Sequence, residues 1–188
     1  MSSTTDVYAR AARWVSEQAA IPVAAPVPVA TPAAASPVGD YLTLATQVAA
    51  ALCRRFEGLF LKPYLCPAGI PTIGYGATYY ENGRRIQLSD PDITREQAEA
   101  LLLWMVRTVY LPAVLKLCPG VMDANRLAAL IDFAFNLGAG QLSASTLRKR
   151  VNAGRWDDVP GELMKWVNGG GKTLAGLVRR RTADAALI

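Results

Sequence analysis

The sequence predicts a mostly helical α+β protein, and three observations carry that prediction. Apolar residues recur at three- and four-residue steps in several stretches between residues 40 and 187, the period of a helix with one buried face. Between Gly58 and Gly76 that period fails, because Gly58, Pro63, Pro67, Gly69 and Pro71 leave room only for short strands and a compact hairpin. Thr94-Arg95-Glu96-Gln97 has the form of a capping box, which opens a helix.

Taken in order, residues 1–20 begin polar and then place Val7, Ala11, Trp14 and Val15 on one face of a short amphipathic helix. From Gln18 to Gly39 no charge appears, which resembles a membrane span until Pro22, Pro26, Pro28, Pro32 and Pro37 are noted. Each removes a backbone donor that a spanning helix needs, so residues 21–38 read as an extended Ala/Pro linker and no stable membrane span is expected. Residues 39–188 form the remaining unit. Its first helix, 40–56, carries Leu42, Ala45, Val48, Leu52 and Phe56 at helical steps, with Asp40 as N-cap, and ends at Glu57. The hairpin follows, and then Asn82-Gly83 marks a tight turn.

The helix from Thr94 runs through Ala98, Leu101, Leu102, Met105 and Val109 until Pro112 kinks or ends it. After the break at Cys118-Pro119-Gly120, residues 123–136 are apolar nearly all round and belong at the centre, with Gly138-Ala139-Gly140 as the stop. Two more helices are expected at 145–153 and 156–167, closed by Gly154 and by Asn168-Gly169-Gly170-Gly171. A last helix at 175–187 carries Arg179, Arg180 and Arg181.

Composition narrows the chemistry. With 188 residues there is length for one domain plus an extension, and a formal charge of +5 favours an anionic partner. No nucleic-acid module is present in the pattern, so nucleic acid is not the expected partner. There is no histidine, which excludes a Ser-His-Asp or Cys-His centre and a His-ligated metal. Cys53, Cys66 and Cys118 sit at no metal-binding spacing and read as three reduced thiols. No metal and no cofactor are therefore expected.

The stretch 55–78, RRFEGLFLKPYLCPAGIPTIGYGAT, carries the candidate chemistry. Glu57, eight residues, Cys66, five residues and Thr72 are followed by Ile73-Gly74-Tyr75-Gly76. A hairpin that folds Cys66 and Thr72 back towards Glu57 would put one proton donor and two water-holding groups on one wall. That set suffices to hydrolyse an acetal. Singly, each residue has an ordinary reading: a solvated Glu, a buried Cys, a strand Thr. The ordered set is what points to a site.

That set resembles the active-site segment of the phage lysozymes of glycoside hydrolase family 24. Their pattern is Glu, eight residues, Asp or Cys, five residues, Thr, with a Thr-Ile-Gly-x-Gly strand. Phe133-Ala134-Phe135-Asn136-Leu137-Gly138 is similar to the family's substrate-cleft helix, and Gly176-Leu177-Val178-Arg179-Arg180-Arg181 to its final helix. The resemblance implies a lysozyme-like fold with a small hairpin lobe and a larger helical lobe flanking a cleft. It also implies a monomeric muramidase that cuts the β-1,4 bond between N-acetylmuramic acid and N-acetylglucosamine in peptidoglycan glycan strands. In that reading the enzyme is an endolysin, held in the host bacterial cytoplasm until released to act on peptidoglycan in the periplasm.

Glu57 falls on the acid position, while Cys66 and Thr72 fall on the positions that hold the attacking water. Phe135, Asn136 and Thr146 are candidate sugar contacts, although Phe135 also suits a core. One of Arg179, Arg180 and Arg181 would pair with Glu57. The family's usual His after the glycine strand is Ala77 here. Two other readings fit the same residues: a catalytically silent peptidoglycan-binding protein, or a lysozyme domain mounted on a virion or toxin.

Overall fold

A computed structural model describes residues 38–188. The expected helix at 1–20 and the linker at 21–38 lie outside it, apart from Val38, which starts the first helix.

Helix α1 (Val38–Phe56) begins two residues before the expected cap, so Asp40 falls within its first turn. Ala45, Ala49, Ala50 and Cys53 are fully buried, and these small residues let α1 lie close against α4 (Ala124–Leu137). In α4 every residue from Leu127 to Ala134 is buried, so it is the central helix its composition predicts. The only charged one among them is Asp132.

The hairpin is formed by β1 (Phe60–Leu65) and β2 (Pro71–Gly74), antiparallel, with Phe60 opposite Gly74, Tyr64 opposite Thr72 and Leu65 opposite Pro71. The register slips between Phe60 and Tyr64, where Pro63 has no N–H to give the ladder. After β2 the chain reverses within three residues. Ile73 and Ala77 exchange both backbone hydrogen bonds at 2.9 Å, and Gly74 and Gly76 take φ of 64° and 99°, which a side chain would resist. Asn82-Gly83 makes the expected turn, closed by Gly83 N–H on Tyr80 O and Tyr80 N–H on Arg84 O at 2.9 Å.

Helix α2 (Arg95–Met105) opens with the full capping box, Thr94 and Gln97 each satisfying the other's backbone N–H. The effect of Pro112 differs from the expectation. The helix loosens into a π-turn at Val106–Tyr110, and α3 (Leu111–Leu117) then continues with Pro112 in its first turn. There the missing N–H is tolerated, so the proline starts a segment instead of ending one. The run Arg95–Leu117 is the one described helix long and apolar enough to cross a membrane by length and composition alone. In the fold it joins the two lobes, packing on α1, β2 and α4.

Gly138 stops α4, but α5 (Ala139–Ala144) starts at once behind it, so the expected three-residue break holds a helix. Helix α6 (Thr146–Asn152) is capped by Ser145. The helix expected at 156–167 is shorter, a 3-10 turn at Trp156–Asp158 and then α7 (Val159–Leu163). The glycine run after it carries a two-residue ribbon, β3 (Asn168–Gly169) with β4 (Lys172–Thr173), and α8 (Ala175–Ala185) closes the fold.

Candidate active site

Glu57 sits just past the last turn of α1, its N–H on Cys53 O at 2.8 Å. Its side chain is only 14 % exposed. Arg180 of α8 donates from Nη1 to Glu57 Oε1 at 2.5 Å, so the middle one of the three candidate arginines is the partner. Arg179 is exposed, whereas Arg181 is buried and turned towards Asp132 and Asp184.

The hairpin carries the other two candidates, both beside Tyr64 and Ile70. Cys66 follows β1, half-buried, with its N–H on Ile70 O at 3.0 Å. Thr72 is buried in β2 directly opposite Tyr64, and its hydroxyl donates to Ile70 O at 2.9 Å. Tyr64 links the set: burial, and then the charges of Glu57 and Cys66, push its phenol up to about 12. Tyr64 therefore faces both groups as a neutral hydroxyl, with Phe60 stacked at 4.2 Å. On the far side, Tyr110 of the π-turn is pushed up by burial and by Cys53 and Glu57, and its ring lies 5.0 Å from Phe135.

Among the expected sugar contacts, Phe135 is half-buried on that stack, and Asn136 keeps a buried amide oxygen with no partner in the protein. Thr146 is exposed, beside Glu162 of α7, whose carboxyl it helps to hold down after Lys165. The structure thus gives Asn136 an acceptor to spare.

Behind Glu57 lies a charged cluster that the spacing of motifs does not reveal. Asp132 accepts from Arg180 Nε at 2.7 Å and Nη2 at 2.8 Å, from Arg181 Nη2 at 3.4 Å and from the Cys53 thiol at 3.5 Å. Burial works to raise its carboxyl, but the charge and hydrogen bonds of Arg180, then Arg181, outweigh burial and hold it below the usual range. Asp184 goes the other way, pushed well up by burial and by Asp132 beside it. Arg181 Nε lies 2.9 Å from Asp184 Oδ2 but off the line a hydrogen bond needs, consistent with a neutral Asp184. Burial, and then Asp132, also raise the Cys53 thiol. All three cysteines are free thiols. Among the described residues no group of three or more His, Cys, Asp or Glu is arranged to hold a metal.

A half-buried carboxyl tied to an arginine at the end of a helix, beside a two-stranded hairpin, within a small sheet-bearing lobe and a larger helical one, fits a lysozyme-type glycoside hydrolase. Known proteins agree. The phage lysozyme family model matches residues 54–184. The endolysin of Acyrthosiphon pisum secondary endosymbiont phage 1 is 38% identical over 143 residues, 73% of this chain and 92% of that protein. The structure of an endolysin from Escherichia coli O157:H7 phage FAHEc1 is similar at a TM-score of 0.65 and 34% identity, covering 75% of this chain and 90% of that one. The muramidase domain of SpmX from Asticaccaulis excentricus is similar at 0.64 and 30%, covering 75% and 94%. The chain belongs to the phage lysozyme family.

Proposed function

We propose that this protein is an endolysin that hydrolyses the β-1,4 bond between N-acetylmuramic acid and N-acetylglucosamine in host peptidoglycan, with Glu57 as the general acid. The observation that carries the reading is the asymmetric use of the Glu57 carboxyl. Arg180 occupies Oε1, which leaves Oε2 as the oxygen that carries and donates the proton. When the glycosidic C–O bond breaks and the leaving oxygen takes that proton, the new carboxylate already has a guanidinium beside it.

Thr72 suits the water-holding role for a related reason. Its hydroxyl proton is committed to Ile70 O, so towards a water its oxygen acts as an acceptor and fixes one O–H direction. Cys66 would hold the same water from the β1 side. Attack from the face opposite Glu57 gives an inverted product. Phe135 would support a sugar ring, and the unpartnered amide oxygen of Asn136 would accept from a sugar N–H or O–H. In this reading residues 39–188 are the catalytic unit, and the enzyme is made in the host cytoplasm and acts in the periplasm.

The test is Glu57→Gln in a turbidity assay on permeabilised Gram-negative cells. The amide keeps the shape but has no acidic proton, so lysis should fall by about a hundredfold or more with the melting transition retained. A folded Glu57→Gln protein with more than about a tenth of the wild-type rate would overturn the assignment.

A further inference from the structure

We propose that Asp132 is a positioning residue for the hydrolysis, its carboxylate fixing the Arg180 guanidinium in the one orientation that leaves Nη1 on Glu57 Oε1. The inference rests on Glu57 being the acid. Arg180 meets Asp132 through Nε and Nη2 at 2.7 and 2.8 Å, the two-pronged pairing that locks both the plane and the roll of a guanidinium. Once those two nitrogens are fixed, Nη1 has only one direction left, and along it lies Glu57 Oε1 at 2.5 Å.

The support comes from the most rigid part of the fold. Asp132 is 0 % exposed in the middle of α4, and both of its oxygens are fully engaged. Oδ1 takes Arg180 Nη2 and the Cys53 thiol, and Oδ2 takes Arg180 Nε and Arg181 Nη2. A carboxylate with about four lone-pair sites has no slack in that arrangement. The Phe56 ring, 5.7 Å from the Arg180 guanidinium carbon, closes another side.

Apolar residues in place of Asp132, Arg180 and Arg181 together would fill the core without the cost of burying charges. What they could not supply is direction. Asp132 also shares the charge of Arg180, which would otherwise act on Glu57 alone. The groups facing this pair are Cys53 from α1, Tyr64 from the hairpin, Tyr110 from the π-turn, and Arg181 and Asp184 from α8.

The experiment compares wild type, Glu57→Gln, Asp132→Asn and Asp132→Asn/Arg181→Met on soluble peptidoglycan fragments, with thermal melts alongside. Asp132→Asn is expected to lower kcat by about tenfold or more with KM little changed, and to move the alkaline limb of the rate profile to lower pH. The double variant removes one buried charge of each sign. It is expected to regain stability and keep the low kcat and the moved limb. Wild-type kcat and pH profile in either folded variant would overturn the proposal, as would full recovery by the double variant, which is what a merely structural role predicts. Should neither variant fold, arginine side-chain NMR of the wild type decides. A slowly exchanging Arg180 Nε–H supports a locked guanidinium, and a fast-exchanging one overturns it. Glu57→Gln separates the two ideas, since activity there removes the acid assignment, whereas an inactive Glu57→Gln beside a normal Asp132→Asn removes only the role of Asp132.

Discussion

Glu57 and Arg180 stand 123 residues apart in the chain and meet at 2.5 Å, joining the end of α1 to the middle of α8. The same guanidinium reaches α4 through Asp132, so one side chain, 4 % exposed, ties three helices together behind the acid. Burial works to lower its proton affinity, but Asp132 and then Glu57 more than offset that, so Arg180 stays charged across the working pH range.

Arg180→Met should therefore be costly twice. It strands a fully buried Asp132 without its main counter-charge, which typically costs about 3–5 kcal/mol. It also removes the cation beside Glu57. Urea unfolding should show the midpoint falling with the slope unchanged, and lysis should drop further than the stability loss explains. Arg180→Lys keeps the charge but cannot grip both Asp132 oxygens, so it should recover part of the stability and less of the rate. A Met variant as stable as wild type would mean the cluster does not hold these helices together.

The buried amide oxygen of Asn136 has no partner in the protein, an arrangement that stability alone does not favour. Asn136→Ala should leave the melting temperature within a degree or two, or raise it, because no protein hydrogen bond to that oxygen is lost. If the oxygen serves a sugar, KM for soluble fragments should rise about five- to tenfold. An unchanged KM would return Asn136 to the packing of α4.

The proposed trio could be picked out of the sequence because it is local. Glu57, Cys66 and Thr72 lie within one helix end and one hairpin, and glycine and proline announce that hairpin. The arginine was legible only to within three residues, since adjacent positions on a helix differ in burial by geometry that the sequence of α8 does not display. Asp132 was passed over inside Leu130-Ile131-Asp132-Phe133, read as one more residue of an apolar helix. The signal was there: a carboxylate in a helix buried all round needs a cation, and the arginine run of the last helix was one of the basic clusters that could supply it. The π-turn and the β3–β4 ribbon left no comparable trace. A π-turn has no composition of its own, and Asn168 to Gly171 reads as a plain stop. Tyr64 and Tyr110 were missed because only the hairpin register and the π-turn bring them to Glu57.

Cys66 offers a direct chemical test, being half-buried where Cys53 and Cys118 are fully buried. Burial pushes the Cys118 thiol up to about 11, and burial with Asp132 raises Cys53, so both should react slowly with alkylating reagents. Iodoacetate should modify Cys66 first, stop lysis by placing bulk and charge where water must sit, and act more slowly when oligosaccharide is bound. Cys66→Asp should keep substantial activity, and Cys66→Ala should be slower than a packing change explains. Mass spectrometry of the labelled peptide identifies the site. Full activity of both Cys66→Ala and alkylated wild type would remove Cys66 from the mechanism.

The buried carboxyl pair gives the last prediction, a stability change with pH. Asp184 is held neutral by burial and by Asp132 beside it, so its value in the fold lies above its unfolded value of about 3.9. A group raised in this way contributes stability that is fully present below the unfolded value and is lost as pH rises through the folded one. Asp132 has the opposite sign. Its contribution is present above about 3.9 and is lost as pH falls through its depressed folded value. Asp184→Asn isolates the first effect, because an amide keeps the shape of the carboxyl and has no acidic proton to lose. Thermal melts from pH 4 to 8 should show wild type losing ground to the variant as pH rises, by up to about 1.4 kcal/mol per pH unit within the window. Were Asp184 ionised instead and paired with Arg181, the variant would leave a buried guanidinium without its counter-charge and would be the less stable protein at every pH above 4. The direction of the difference at neutral pH therefore decides which carboxyl of the pair carries the proton.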